Sequence, residues 1–256
     1  MTSATATSQS MARRLGEFKQ MEIALLKAVV LAGGLGTRLR ERVVDLPKPM
    51  IPVSGRPFLE YVLDRLVEGG VRKVILSVGY RADSIRSHFG TDYRGASLRY
   101  AVEAEPLGTG GAIMFALRDE DKYPVLVLNG DTFLALDYRT FVHWYREDPT
   151  SVAIVLKKVP DVSRFGSVTI QKGRVTGFVE KGRSGSGLVN AGVYIVCPTV
   201  FSEFGVSGKF SFEADFLERY CDSLKPRAYI TDAYFIDIGI PEDFERAQRE
   251  LRVAPL

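Results

Sequence analysis

Short apolar runs alternating with helix-spaced patterns constrain this chain more than any other feature. Lys27–Leu31, Lys73–Val78, Leu98–Val102 and Pro124–Asn129 read as strands. The last is almost continuously apolar, as expected of a strand covered on both faces of a parallel sheet. Between them, Phe58–Glu68 places Phe58, Leu59, Val62 and Leu66 at helical spacing and stops at Gly69-Gly70. Ala82–Phe89 reads as a short helix, and Gly110–Leu117 opens another. Such βα alternation predicts a doubly wound sheet. From Ser151 onward the character changes. Ser151–Lys158, Ser167–Gln171, Arg174–Glu180 and Leu188–Val196 read as strands with few helices between, and Lys172-Gly173 is a hairpin-turn signal. Phe212–Cys221 reads as a helix, Ala228–Asp232 and Tyr234–Ile238 as strands, and Pro241–Leu251 as a final helix with Pro at its start. The expected fold is a single α/β domain over residues 26–256, with a Rossmann-like, doubly wound mixed sheet. A parallel half (26–150) precedes a mixed half (151–256). Residues 1–25, Thr/Ser/Ala-rich at their start, read as a disordered leader or tag remnant.

The first strand runs directly into Leu31-Ala32-Gly33-Gly34-Leu35-Gly36-Thr37-Arg38-Leu39, and Asp45-Leu46-Pro47-Lys48-Pro49-Met50 follows. Glycines let backbone approach a ligand closely, and N–H groups of such a turn can point at phosphate oxygens. Arg38 and Lys48 add positive charge, so the segment reads as a nucleoside triphosphate site. No G-x-x-x-x-G-K-[ST] occurs, and Leu39 stands where a dinucleotide fingerprint needs its third glycine. A net charge of +3 is too small to imply nucleic-acid binding, and no window reaches the ~18 apolar residues of a membrane span. Cys197 and Cys221 form no metal pattern and fit reduced thiols in the cytoplasm. With only His88 and His143, a His-rich metal site is excluded.

Asn129-Gly130-Asp131 ends the buried fourth strand, at the sheet edge where open α/β folds bind ligands. Asp131 reads as a metal ligand or as a helix cap. Asp237 lies among apolar neighbours in Tyr234–Gly239; it is a second carboxylate for the same ion, or it faces solvent. Mg²⁺ takes one or two carboxylates together with phosphate oxygens and water. Glu180-Lys181 precedes a glycine- and serine-rich loop (182–187) that either closes over an acceptor or is only surface. Asn190 suits a sugar hydroxyl, or caps a turn. Gly108-Thr109-Gly110-Gly111 again permits backbone contact with a ligand. Glu103, at a strand end just upstream, suits guanine, which offers N1–H and N2–H₂, better than uracil, which offers N3–H alone.

In chain order, the glycine signature through Arg38, Pro-Lys-Pro-Met, Glu-Pro-Leu-Gly-Thr, Asn-Gly-Asp, Glu-Lys, Asn-Ala-Gly-Val-Tyr and Asp-Ile-Gly-x-Pro-x-Asp resemble the sugar-phosphate nucleotidylyltransferases, from Leu26 to Leu251. The resemblance implies a fold of the nucleotide-diphospho-sugar transferase type, with 26–150 the nucleotide-binding half and 151–256 the sugar-phosphate half. It implies Arg38 and Lys48 on the triphosphate, Asp131 and Asp237 on Mg²⁺, and Lys181 on the acceptor phosphate. The expected nucleotide side is Leu31, Ala32, Gly33, Gly34, Gly36, Thr37, Arg38, Lys48, Glu103, Gly108 and Thr109. The expected acceptor side is Gly166, Glu180, Lys181 and Asn190, with Arg164 and Phe165 nearby.

The chain is similar to the mannose-1-phosphate guanylyltransferase-like group in a minimal catalytic form. The leading expectation is GMP transfer from GTP to a sugar 1-phosphate, D-glycero-α-D-manno-heptose 1-phosphate first, by attack on the α-phosphorus with loss of pyrophosphate. A phosphate monoester, with its second pKa of about 6, is already anionic, so no general base is needed. A UTP-dependent enzyme of the N-acetylmuramate type, a mannose-1-phosphate guanylyltransferase, a nucleotide-sugar sensor and an interaction protein are the alternatives. A cytoplasmic location without nucleic-acid or membrane partners is expected, and oligomeric state stays open, a homodimer among the options.

Overall fold

In the computed structural model, residues 22–23, 26–34, 46–120, 123–182 and 184–251 are described. Among the described residues, β1 (Lys27–Leu31) lies inside a ten-stranded sheet. It pairs in parallel with β4 (Lys73–Val78) on one side and β7 (Val125–Asn129) on the other, and β6 (Ala96–Val102) continues the parallel set beyond β4. The chain therefore leaves β1 towards β4 and β6, then returns to β7 on the opposite flank. Ligands in open α/β sheets bind at such a divergence. The minor elements β2 (Pro52–Val53) and β3 (Arg56–Pro57) form a ribbon of their own, and β5 (Asp92–Tyr93) ends the sheet against β6.

The second half is mixed, as expected. Strand β12 (Gly187–Val196) runs antiparallel to both β7 and β9 (Val152–Val159), while β13 (Arg227–Thr231) runs parallel to β9. Strands β10 (Ser167–Gln171) and β11 (Arg174–Val179) form the anticipated hairpin. Its turn residues Lys172 and Gly173 have φ of 50° and 73°, the left-handed pair that a tight two-residue turn requires. A separate ribbon joins β8 (Thr132–Leu134) to β14 (Phe235–Asp237).

Alternation along β1 sorts its side chains into two layers. Ala28 and Val30 pack with α1 (Phe58–Glu68) and α4 (Tyr138–Glu147) through residues such as Leu63 and Phe141. Val29 packs on the other face with Ile113 of α3 (Gly108–Leu117) and with Phe212 and Phe216. Helix α2 (Ala82–Phe89) adds Ile85 and Phe89 to the first layer.

Several elements depart from the sequence reading, which named neither the short strands β2, β3, β5 and β8 nor the helices Tyr138–Glu147 and Thr199–Glu203. Helix α4 was not anticipated among the helices, although the Asp137 side chain caps it by accepting from the Arg139 and Thr140 N–H groups, and Tyr138, Phe141, Val142 and Tyr145 are buried. The expected helix Phe212–Cys221 is instead a π-helical run, Phe212–Glu218, followed by a separate short helix. The short helices are α5 (Thr199–Glu203), α6 (Cys221–Leu224) and, at the end of the described chain, the longer α7 (Pro241–Glu250). Helix α3 begins at Gly108, two residues earlier than expected, because the Phe210 carbonyl accepts from the Gly110 N–H at 3.0 Å and supports its first turn. Both cysteines are buried free thiols.

Candidate active site

Strands β1, β4 and β7 end level: Leu31 is in register with Ser77 and with Asn129. The turn after β7 crosses tightly over β1, with the Gly130 N–H donating to the Leu31 carbonyl at 2.9 Å. A Cβ at position 130 would lie 2.7 Å from that oxygen, so glycine is required and Asp131 is delivered to the β1 edge.

Asp237 reaches the same point through the β8–β14 ribbon, which sets Asp237 opposite Thr132 and lets the Ile238 N–H donate to the Asp131 carbonyl at 3.1 Å. Lys48 arrives from the 3₁₀ turn Lys48–Met50, shaped by Pro47 and Pro49. Its ammonium lies 2.5 Å from Asp131 Oδ2 and 3.8 Å from Asp237 Oδ1, with the lysine side chain 12% exposed and the carboxylates 35% and 38%. Gly239 donates its N–H to Asp237 Oδ1 at 2.7 Å, so the glycine after the aspartate aims the carboxylate. Burial, and then the negative charge of Asp131, push the Asp237 carboxyl above the ordinary carboxylate range; Lys48 and the Gly239 N–H pull the other way. Two carboxylates held against one ammonium leave a net negative charge. That donor set fits a hard divalent cation that also binds phosphate oxygens. Among the described residues, no cluster of three or more Asp, Glu, His or Cys forms an all-protein metal cage.

A cavity of about 720 Å³ opens from this point along the C-terminal edge of the parallel strands. Gly33 and Gly34 after β1, Gly79 and Tyr80 after β4, and Glu103 after β6 line it, with Gly108, Thr109, Asn129, Asp131 and Lys48. Leu31 also lines it, whereas Ala32 is buried, its N–H donating to the Ser77 carbonyl at 2.8 Å. Gly36, Thr37 and Arg38 lie outside the described residues. Glu103 Oε1 accepts from the Ser77 hydroxyl at 2.9 Å and Oε2 from the Leu107 N–H at 3.0 Å. Asn129 Oδ1 is buried and has no hydrogen-bond partner among the described residues.

The glycines of α3 also serve packing within the fold. A Cβ on Gly108 would lie 2.5 Å from the Phe210 carbonyl oxygen, and one on Gly110 would lie 2.0 Å from the Phe210 ring. They admit the Gly208–Phe210 segment against the helix, and only Gly108 also reaches the cavity wall. The Thr109 hydroxyl donates to Glu213 Oε2 at 2.6 Å and accepts from the Phe212 N–H at 2.8 Å, which ties α3 to the π-helical run.

On the acceptor side, Asn190 takes the turn-capping alternative. Its Oδ1 accepts from the Gly192 N–H at 3.0 Å, and its Nδ2 donates to the Tyr194 hydroxyl at 2.7 Å, which in turn donates to Glu213 Oε1 at 3.1 Å. Glu180 and Lys181 stand exposed beyond β11, and Lys181 makes no hydrogen bond or ion pair among the described residues. The loop that follows is anchored: the Gly182 N–H donates to the Ser163 carbonyl at 3.2 Å and the Gly185 N–H to Asp161 at 3.2 Å. Gly166, in that same neighbourhood, packs close to the Val179 carbonyl. The Arg164 guanidinium is paired with the buried Asp243 of α7, and Phe165 packs edge-on against Phe235 at 6.0 Å. Sequence reasoning did not find Ser77, Tyr80 or Glu213. For Ser77 a signal existed, a lone hydroxyl in the apolar run Val74–Val78.

The chain is similar to known proteins over most of its length. The family described as nucleotidyl transferase matches residues 27–253. A D-glycero-alpha-D-manno-heptose 1-phosphate guanylyltransferase of Aneurinibacillus thermoaerophilus is 44% identical over 89% of this chain and 99% of its own. A protein of the same name from Campylobacter jejuni is 40% identical, covering 86% and 97%. The crystal structure of HddC from Yersinia pseudotuberculosis superposes with a TM-score of 0.80 at 40% identity, over 89% of this chain and all of that one. HddC was also determined complexed with GMP-PN.

Proposed function

Since this chain belongs to the nucleotidyl transferase family, we propose that it transfers GMP from GTP to a sugar 1-phosphate, with D-glycero-α-D-manno-heptose 1-phosphate the acceptor. The observation that carries this reading is the meeting of Asp131 and Asp237 at the Lys48 ammonium, with Lys48, Asp131 and the Glu103 carboxylate all lining one cavity. The guanylyltransferase relatives, at 44% and 40% identity over nearly their whole length, support the choice of base and acceptor.

In this reading residues 26–150 bind the nucleotide and 151–256 the acceptor. Guanine lies against Glu103, which receives N1–H and N2–H₂. The Gly33–Gly34 turn offers backbone N–H groups to the triphosphate, and Lys48 neutralises it. Arg38 is assigned by sequence to the departing pyrophosphate. Mg²⁺, held by Asp131 and Asp237, would supply Lewis-acid polarisation of the α-phosphate and shield the incoming anion. Lys181, free of partners among the described residues, holds the acceptor phosphate, with Glu180 and Gly166 beside it. Asn190 supports the acceptor pocket through its turn and retains one N–H for the sugar.

The acceptor phosphate oxygen forms a bond to the α-phosphorus as the bond to the pyrophosphate oxygen breaks, in line. Because the nucleophile carries its own charge, these residues neutralise and align and abstract no proton. Among the described residues, no helix is long and apolar enough to cross a membrane, and a cytoplasmic location is part of this reading. Pyrophosphate release measured with ATP, CTP, GTP and UTP against heptose 1-phosphate tests the reading. GTP is expected to be used at least tenfold better in kcat/KM than any other, about 1.4 kcal/mol. Equal or better use of UTP would replace it with the uridylyl alternative.

A further inference from the structure

Strand β4 is apolar from Val74 to Val78 except at Ser77, a residue with no exposed surface. A hydroxyl buried in a sheet needs a partner, and here the partner is Glu103, whose Oε1 accepts at 2.9 Å. The Ser77 backbone is locked from both sides, in register with Leu31 and with Ala101. Its carbonyl also accepts from the Ala32 N–H at 2.8 Å. The hydroxyl is therefore a fixed point at the C-terminal edge of the parallel strands, at the cavity wall beside the glycine turn.

The second oxygen of Glu103 is held independently by the Leu107 N–H at 3.0 Å. One donor on each oxygen fixes the plane of a group whose terminal torsion is otherwise broad. A carboxylate accepts about four hydrogen bonds in all, so each oxygen keeps an open position. Gly33 completes the cradle: a Cβ there would already touch Oε1 at 3.4 Å.

Guanine's edge carries two parallel donors, N1–H and N2–H₂. A carboxylate engages both only when its plane is set, whereas a single donor is satisfied by a wide range of orientations. We propose that Ser77 is a positioning residue for base selection, fixing the Glu103 carboxylate in the plane that reads both guanine donors. This rests on the assignment of Glu103 to the base made above. Ser77 touches no substrate in this scheme and acts only through Glu103.

The test compares kcat/KM for GTP with that for inosine triphosphate, which keeps N1–H and lacks the 2-amino group. Wild type, Ser77→Ala and Glu103→Gln are assayed with the same sugar 1-phosphate. Removing a hydrogen bond to a charged group is expected to reduce the GTP-over-ITP preference of Ser77→Ala roughly tenfold. Its KM for the sugar 1-phosphate should not change, and Glu103→Gln should show at least as large a loss of preference. A purely structural role for Ser77 would weaken both nucleotides alike and leave their ratio unmoved. If Glu103→Gln loses the preference and Ser77→Ala keeps it, the positioning role is overturned and the assignment of Glu103 stands. If neither variant changes the ratio, the assignment of Glu103 itself fails. A loss confined to Ser77→Ala would show that Ser77 acts by another route, which also overturns the proposal.

Discussion

Replacing Asp237 by Asn separates what the site does for stability from what it does for catalysis. Asn keeps the size of the side chain and the acceptor oxygen that receives the Gly239 N–H. It removes a negative charge placed 3.8 Å from the Lys48 ammonium, an attraction of about 1 kcal/mol at the dielectric constant of water. That value is a lower bound, towards which solvent reaching a carboxylate 38% exposed screens the attraction. The substitution also relieves repulsion from Asp131 and the desolvation of the charge, which together hold the Asp237 carboxyl above its ordinary range. A carboxyl raised by folding opposes folding when ionised. The opposition is full above the raised value and vanishes below the ordinary carboxylate range, near pH 4. In EDTA at pH 7, Asp237→Asn should therefore melt at or above the wild-type temperature, with the gap closing as pH falls below about 4. With Mg²⁺ present, pyrophosphate release should drop on the order of 10²–10³-fold, about 3–4 kcal/mol of transition-state stabilisation. A variant that melts well below wild type, or that turns over within a few-fold of it, would refute this account of the site.

Away from the cavity, Asp64 is 1% exposed and accepts from Arg56 at 2.6 Å, Arg94 at 2.6 Å and Tyr93 at 2.9 Å. Burial alone would raise its pKa, but these donors win and hold it below the usual range. Its contribution is thus present above about pH 4 and lost as pH falls through the lower native value. Asp64→Asn should cost about 1–3 kcal/mol in urea unfolding at pH 7, a cost that shrinks in acid; an unchanged midpoint at pH 7 would contradict it. In Gly110→Ala the new methyl would lie 2.0 Å from the Phe210 ring. A loss of about 1–3 kcal/mol, read as a lower melting temperature, is expected from overpacking, and a wild-type value would show that the Phe210 segment yields freely. Lys181→Ala should raise KM for the sugar phosphate more than KM for GTP, and an equal effect on both would remove Lys181 from the acceptor site.

Strands β1, β4 and β7 of the parallel half were legible because they are buried on both faces and so are nearly continuous in apolar residues, as in Val125–Asn129. Helix α4 was harder, since its polar face and aromatic residues blur the pattern, although Asp137 with Thr140 and the spacing of Phe141 and Tyr145 mark it. Asp131, Asp237 and Lys48 could be nominated singly from charge at strand ends and turns. Their convergence depends on the pairing of β14, which was read within Tyr234–Ile238, with β8, a strand of three residues too short to carry a pattern of its own. The role of Thr109 was hidden for a different reason. Thr109 bonds Glu213 directly and Asn190 reaches it only through the Tyr194 hydroxyl, and nothing near Thr109 in sequence announces that carboxylate, whereas the turn-capping role of Asn190 uses Gly192, two residues on.

The central claim is that this site joins a guanylyl group to a sugar 1-phosphate. Mass spectrometry of a reaction containing GTP, Mg²⁺ and D-glycero-α-D-manno-heptose 1-phosphate tests it most directly. The account predicts GDP-heptose and pyrophosphate in equal amounts, and neither product when the acceptor is left out. Pyrophosphate or phosphate formed at the same rate without the acceptor, or GTP bound and recovered intact with it, would contradict the claim.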